Sequence, residues 1–217
     1  MSRRHCVKIF FRYLAAPMMA GAILLFLTSA CSGGASPGII SGLITYAGKP
    51  AAGKRVQLMG GERIYQSTGP EGRYTFEGIS QGRYQIIFRS EGDQPKALPN
   101  EIAEWRSLPF DFSAASGKEI PPIEVAYNGL LYPDEGMALI VNEEALVPFH
   151  WSTHPRALNY RVRLEAEAGT FRWNGPWTSE PTAIFGQAVN TGRYRWLVEI
   201  DGGETGMGAS RPRQVDF

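Results

Sequence analysis

The chain has 217 residues, 22 Lys+Arg against 21 Asp+Glu, 43% hydrophobic residues and 2 cysteines. So even a balance gives no electrostatic case for nucleic acid or an anionic surface, and two cysteines are too few for a disulfide scaffold. Glycine (25), proline (15) and 12% aromatic residues point instead to many short strands punctuated by turns. At the N-terminus, Arg3, Arg4, Lys8 and Arg12 precede an apolar run from Leu14 to Leu27 that contains Pro17 and Gly21. That run is about 14 residues, whereas a spanning helix needs about 20. A basic start, a short apolar stretch and small residues before a cut are the marks of a secretory signal. A short transmembrane anchor fits less well, because nothing after Cys31 extends the apolar run.

The end of that run, Leu27-Thr28-Ser29-Ala30-Cys31, resembles a bacterial lipobox, with Thr28 where the family usually has leucine. The resemblance implies cleavage after a signal peptide of residues 1–30 and acylation of Cys31 with diacylglycerol and palmitate-type chains. Each buried methylene contributes about 0.8 kcal/mol, so several chains anchor firmly where one holds only marginally. Ser32 follows the cysteine in place of the aspartate of inner-membrane retention, which implies an outer-membrane lipoprotein, on either its periplasmic or its outer face. Ser2-Arg3-Arg4-His5-Cys6-Val7-Lys8 is also similar to a twin-arginine motif, with Cys6 at a position that expects a bulky apolar residue; Sec export is the expected route.

Without the four signal-peptide cations, 18 basic residues face 21 acidic ones, a balance of −3. Both cysteines fall in the signal and lipobox, so the body relies on a hydrophobic core. About 187 mature residues are enough for one large or two small domains. Residues 31–37 read as a small-residue tether. Strands are expected at Ile39 to Tyr46, Arg55 to Met59, Arg63 to Thr68, Tyr74 to Phe76 and Tyr84 to Phe88. Ser90 to Pro122 is proline-rich and reads as a long functional or mobile connection, with one helical turn at Asn100 to Trp105. Ile123 to Tyr127 closes the first half, and Asn128-Gly129 marks a boundary. Met137 to Val141, Val147 to Trp151, Tyr160 to Glu165, Phe171 to Trp173 and Tyr194 to Ile200 are strands of the second.

Gly-Arg-Tyr occurs at Gly72, Gly82 and Gly192, each time opening a strand, where alternation turns the arginine to water and the tyrosine inward. Around these lie Gly42, Gly48-Lys49-Pro50, Val56, Leu58, Thr68, Tyr74, Phe76 and Tyr84. On them, residues 38–128 resemble a carboxypeptidase regulatory-like domain, a transthyretin-type sandwich within a carbohydrate-binding-like fold. Residues 130–217, through Phe149, Trp151, Tyr160, Tyr194 and Trp196, are similar to a fibronectin type III-like domain. The expected fold class is all-β, with two consecutive β-sandwich domains after a cleaved lipoprotein signal peptide.

Chemistry is sparse. Gly34-Ala35-Ser36-Pro37-Gly38 and Gly78-Ile79-Ser80-Gln81-Gly82 satisfy G-x-S-x-G, but one lies in the tether and the other in a hairpin, not on a nucleophile elbow. His150 and His154 have the i, i+4 spacing of a metal pair, to which Glu143 or Glu144 would add. Trp151 reads as strand and Pro155 stops a helix, so surface or strand-end histidines are expected, and no metal or cofactor. Asp134-Glu135 and Glu143-Glu144 read as solvated acids. The transthyretin-like fold hosts a hydrolase with a C-terminal Tyr-Arg-Gly-Ser; this chain ends Arg213-Gln214-Val215-Asp216-Phe217, and no catalytic residue is assigned. Trp105, Trp173 and Trp177 are the candidate binding residues, with Trp173 expected inward and Trp177 exposed. The expected role is a non-catalytic, lipid-anchored accessory or adhesion-type module that binds a protein partner through sheet edges or the Trp105 loop. Polysaccharide binding through Trp177 is the alternative, and an enzyme or hydrolase accessory a distant third.

Overall fold

Alternating apolar and polar residues write strands with one dry face. The computed structural model, which describes residues 38–90, 100–113, 117–127, 129–140 and 146–217, is built of such strands, with one 3-10 turn at Gly203–Thr205 and no α-helix among the described residues. The expected signal peptide (residues 1–30) and tether (31–37), Cys31 with them, and Asn128, Glu143 and Glu144 lie outside the described residues.

The first half comprises β1 (Gly38–Tyr46), β2 (Lys49–Pro50), β3 (Arg55–Met59), β4 (Ile64–Ser67), β5 (Arg73–Ile79), β6 (Gly82–Arg89), β7 (Glu104–Arg106), β8 (Phe110–Phe112), β9 (Lys118–Glu119) and β10 (Ile123–Glu124). Strand β1 is the hub of one sheet: β2 and β5 run antiparallel to it, β9 and β10 parallel. The other sheet runs β4-β3-β6, and β6 continues to β7 and β8. Ile40, Ile44, Tyr74 and Phe76 from the first pack with Val56, Leu58, Ile86 and Phe88 from the second, all at most 2% exposed. The tight approach at Gly72 demands glycine: its φ is +67°, and a Cβ there would lie 2.5 Å from the Ile44 carbonyl oxygen.

The second half adds β11 (Leu130–Tyr132), β12 (Met137–Ala138), β13 (Val147–Trp151), β14 (Asn159–Ala166), β15 (Arg172–Asn174), β16 (Thr182–Phe185), β17 (Arg193–Asp201), β18 (Met207–Ala209) and β19 (Arg213–Asp216). A three-stranded sheet, β11-β13-β16, encloses its core together with β15-β14-β17, where Phe149, Trp151, Val162, Leu164, Phe185, Trp196 and Val198 are buried. Both β18 and β19 lie along the free side of β17, and β12 runs parallel to β19.

The two halves are joined by backbone. Strand β18 pairs with β17 on one side and with β7 on the other, Gly208 opposite Trp105. One lateral row, Tyr65, Gln57, Ile87, Arg106, Met207, Asp201 and Asn159, therefore crosses seven strands from both halves. The helical turn expected at Asn100 to Trp105 is not formed. Asn100 has φ +59°, Glu101 bridges to Ala126, and Glu104–Arg106 is a strand paired on both edges, because alternation there puts Trp105 inward and two charged residues outward.

In all three Gly-Arg-Tyr segments the arginine is exposed, while Tyr74 and Tyr194 are buried and Tyr84 half-buried. Tyr84 and Tyr194 each donate a hydroxyl hydrogen bond to a carbonyl four residues upstream, Ser80 O at 3.0 Å and Asn190 O at 2.8 Å. At the start of β17 this is the geometry of a tyrosine corner, which locks the crossover into a sandwich strand. Tyr194→Phe is expected to lower unfolding free energy by about 0.5–1.5 kcal/mol in urea titration, the net worth of one such bond.

Candidate functional site

The three candidate tryptophans separate. Trp105 is 1% exposed, so it is not part of a surface loop; its indole N–H donates to Thr205 O at 3.0 Å and its ring stacks on His154 with centroids 5.4 Å apart. It also covers Gly202 and Gly208, where a Cβ would fall 2.8 and 2.4 Å from ring carbons. Trp173 packs edge-on against Phe185 at 5.1 Å and is half-buried. Trp177, just past the Asn174-Gly175-Pro176 turn, is 40% exposed, with the Arg161 guanidinium 4.6 Å over its ring. Arg161 is itself held by two bonds to Glu199, which also takes Arg163 at 3.0 Å, so the exposed indole rests on a fixed support.

The two histidines do not share a face. His150 is exposed on β13 beside Tyr132, whereas His154 is 3% exposed, in the loop that follows β13. Its Nε2 lies 3.0 Å from Glu124 O and its Nδ1 accepts the Arg156 backbone N–H at 3.2 Å, an arrangement that fits the neutral ring with its proton on Nε2. Tyr160 Oη accepts the His154 backbone N–H at 2.7 Å. Burial pushes the His154 pKa down and Arg156 adds to this; the Glu124 carbonyl and carboxylate only partly oppose it. A depressed folded pKa makes this group's stabilisation complete above about 6.5 and lost progressively as pH falls below it. Between pH 7.5 and 5.5 the native chain is expected to lose unfolding free energy that His154→Gln does not lose, read from urea midpoints at each pH.

Glu124, 6% exposed, is the other organiser of this junction. Its Oε1 accepts the N–H groups of Ala47 (2.8 Å) and Ala126 (2.9 Å); its Oε2 accepts Thr45 Oγ1 (2.9 Å) and Gly48 N–H (3.0 Å). Burial alone would raise its pKa, but these four donors together hold it below the ordinary carboxylate value. Its side chain thus ties the β1–β2 turn to β10, while its carbonyl holds the second half through His154. Above it opens a cleft of about 630 Å³ lined by Leu43, Thr45, Pro122, Thr153, Pro155 and Arg156, among others.

No protein-family model matches the chain, and no curated protein matches it.

Among the described residues no group of three or more His, Cys, Asp or Glu is placed to hold a metal ion. Ser80 sits in the β5–β6 turn with its carbonyl bonded to Tyr84. Asp134 pairs with Arg213 at 3.2 Å and Glu135 accepts the Gln214 N–H at 3.1 Å, so these acids fasten the last strand and are not merely solvated. Sequence patterns gave no sign of the buried cluster in which Lys54 pairs with Glu101, Ser90 Oγ donates to Glu101 Oε2 at 2.8 Å and Arg211 donates to Ser90 Oγ at 2.6 Å. Its members are spread over more than a hundred positions, and single charged residues in turns carry no signal of burial.

Proposed function

We propose that this is a non-catalytic binding protein of the bacterial envelope, lipid-anchored through Cys31 in the outer membrane, whose partner is a protein gripped at a sheet edge. One observation carries the reading. Strand β4 ends the long sheet, pairs with β3 alone among the described residues, and exposes all four of its residues, Ile64 and Tyr65 included. An open edge is a ready template for an added strand, whose main-chain bonds give affinity and whose side chains give selectivity. The perturbed acid and imidazole, Glu124 and His154, have their hydrogen-bonding positions filled by the fold, which supports a structural rather than a catalytic use.

Two features support the fibronectin type III-like resemblance of the second half. The β11-β13-β16 sheet opposite β14, β17 and β19 follows an immunoglobulin-like strand order, and Tyr194 makes the matching corner. A photo-crosslinking residue in place of Tyr65 is expected to capture a discrete protein in whole cells, whereas the same residue at Glu77 is not. Equal capture at both positions refutes the edge reading. An inhibitor of lipoprotein signal peptidase is expected to cause precursor accumulation; unchanged processing refutes the anchor. The second reading, a polysaccharide on Trp177, is favoured by its exposed, supported ring. Retention on a glycan array that is lost in Trp177→Ala would establish it in place of the protein partner.

A further inference from the structure

The junction cleft has the attributes of a small-ligand site, independently of the β4 edge. Its volume of about 630 Å³ falls within the usual range for such pockets, roughly 300–1,000 Å³. Its walls come from both halves, Leu43, Pro122 and Glu124 among them from one, Thr153, Pro155 and Arg156 from the other. They are fixed in place. The Glu124 carboxylate bridges the β1–β2 turn and β10, its carbonyl meets His154, and the β7–β18 ladder holds the halves together. Binding there needs little reorganisation.

The lining is mainly apolar, and its two charges are not equivalent. Each Glu124 oxygen already accepts two hydrogen bonds, so that carboxylate has no acceptor position left for a ligand. Arg156 is the reverse case. Its backbone N–H is used by His154, but its exposed guanidinium makes no hydrogen bond or ion pair with any described residue. A planar fork of donors at the rim of an apolar recess matches a carboxylate bidentately.

We infer that the cleft binds a small apolar group ending in a carboxylate, the acid on Arg156 and the apolar body over Leu43, Pro122 and Pro155. A free carboxylic acid and a peptide C-terminus present the same chemistry. They are separated by probing the full chain in detergent with hexanoate and with acetyl-Ala-Leu, the latter also as its C-terminal amide. The side-chain Nε resonance of Arg156 and the amides of Gly48 and Thr153 are expected to shift in a saturable way with at least one acid and not with the amide. Arg156→Gln, a surface change that leaves the fold intact, is expected to weaken binding about tenfold or more. Thr153→Trp, which fills the recess without altering charge, is expected to abolish it. Hexanoate alone shifting the resonances assigns a free acid; the peptide alone assigns a chain terminus. No saturable shift with either acid, equal shifts with acid and amide, or an unchanged response in Arg156→Gln or Thr153→Trp overturns the inference.

Discussion

Replacing Trp105 with alanine is expected to lower the unfolding free energy by about 3–5 kcal/mol, the cost of emptying a fully buried tryptophan site. Three contacts converge there: the stack on His154, the indole bond to Thr205 O and the cover over Gly202 and Gly208. Each links β7 of the first half to the second. The variant is therefore expected not only to unfold earlier in urea but to do so in two steps, as the halves lose the contact that makes them one cooperative unit. Trp177→Ala serves as the comparison. Its ring is 40% exposed and stacks on a surface arginine, so the loss is expected to be about 0.5–1 kcal/mol with a single transition. Equal losses in the two variants would deny Trp105 its part in the junction.

Lys54→Met is the second large effect, expected to cost about 3–5 kcal/mol, because it leaves the Glu101 carboxylate buried without the ammonium that faces it. The side chains of Lys54 and Glu101 are 6% and 1% exposed, so water cannot replace the lost charge. Adding Glu101→Leu to the same chain is expected to recover most of the loss, since an apolar pair needs no desolvation of charge. A double variant as unstable as the single would show that Ser90 and Arg211, which extend the cluster to the β18–β19 loop, depend on the carboxylate more than Lys54 does.

The strands with strict alternation were legible. Val56 and Leu58, Tyr74 and Phe76, and the run Tyr194 to Ile200 bury the faces that their spacing dictates. What escaped was short or interrupted: Thr182–Phe185 carries one buried residue, and the final strand is broken into β18 and β19 by Ser210-Arg211-Pro212. Trp105 was misplaced for a related reason. A three-residue strand offers no period to read, and one that short exists only because β6 and β18 flank it. Of the candidate site, the division between Trp173 and Trp177 followed from the turn between them. Glu124 did not stand out, because its meaning lies in contacts across 30 to 79 positions of sequence, and Arg156 did not, because only the folded chain sets it beside Leu43 and Pro122 in the cleft wall.

The lateral row from Tyr65 to Asn159 has a metric consequence. Seven strands at a spacing of about 4.8 Å set its ends roughly 29 Å apart, along a path made of backbone hydrogen bonds throughout. The open edge at β4 and the tryptophan shelf on the Arg161 strand are thus the two marks of a ruler, not the ends of a hinge. A bivalent probe built to bridge the β4 edge and Trp177 would gain from both contacts only if its own spacing matched. A linker too short to reach gains nothing, and one far too long gives back its advantage as effective concentration falls.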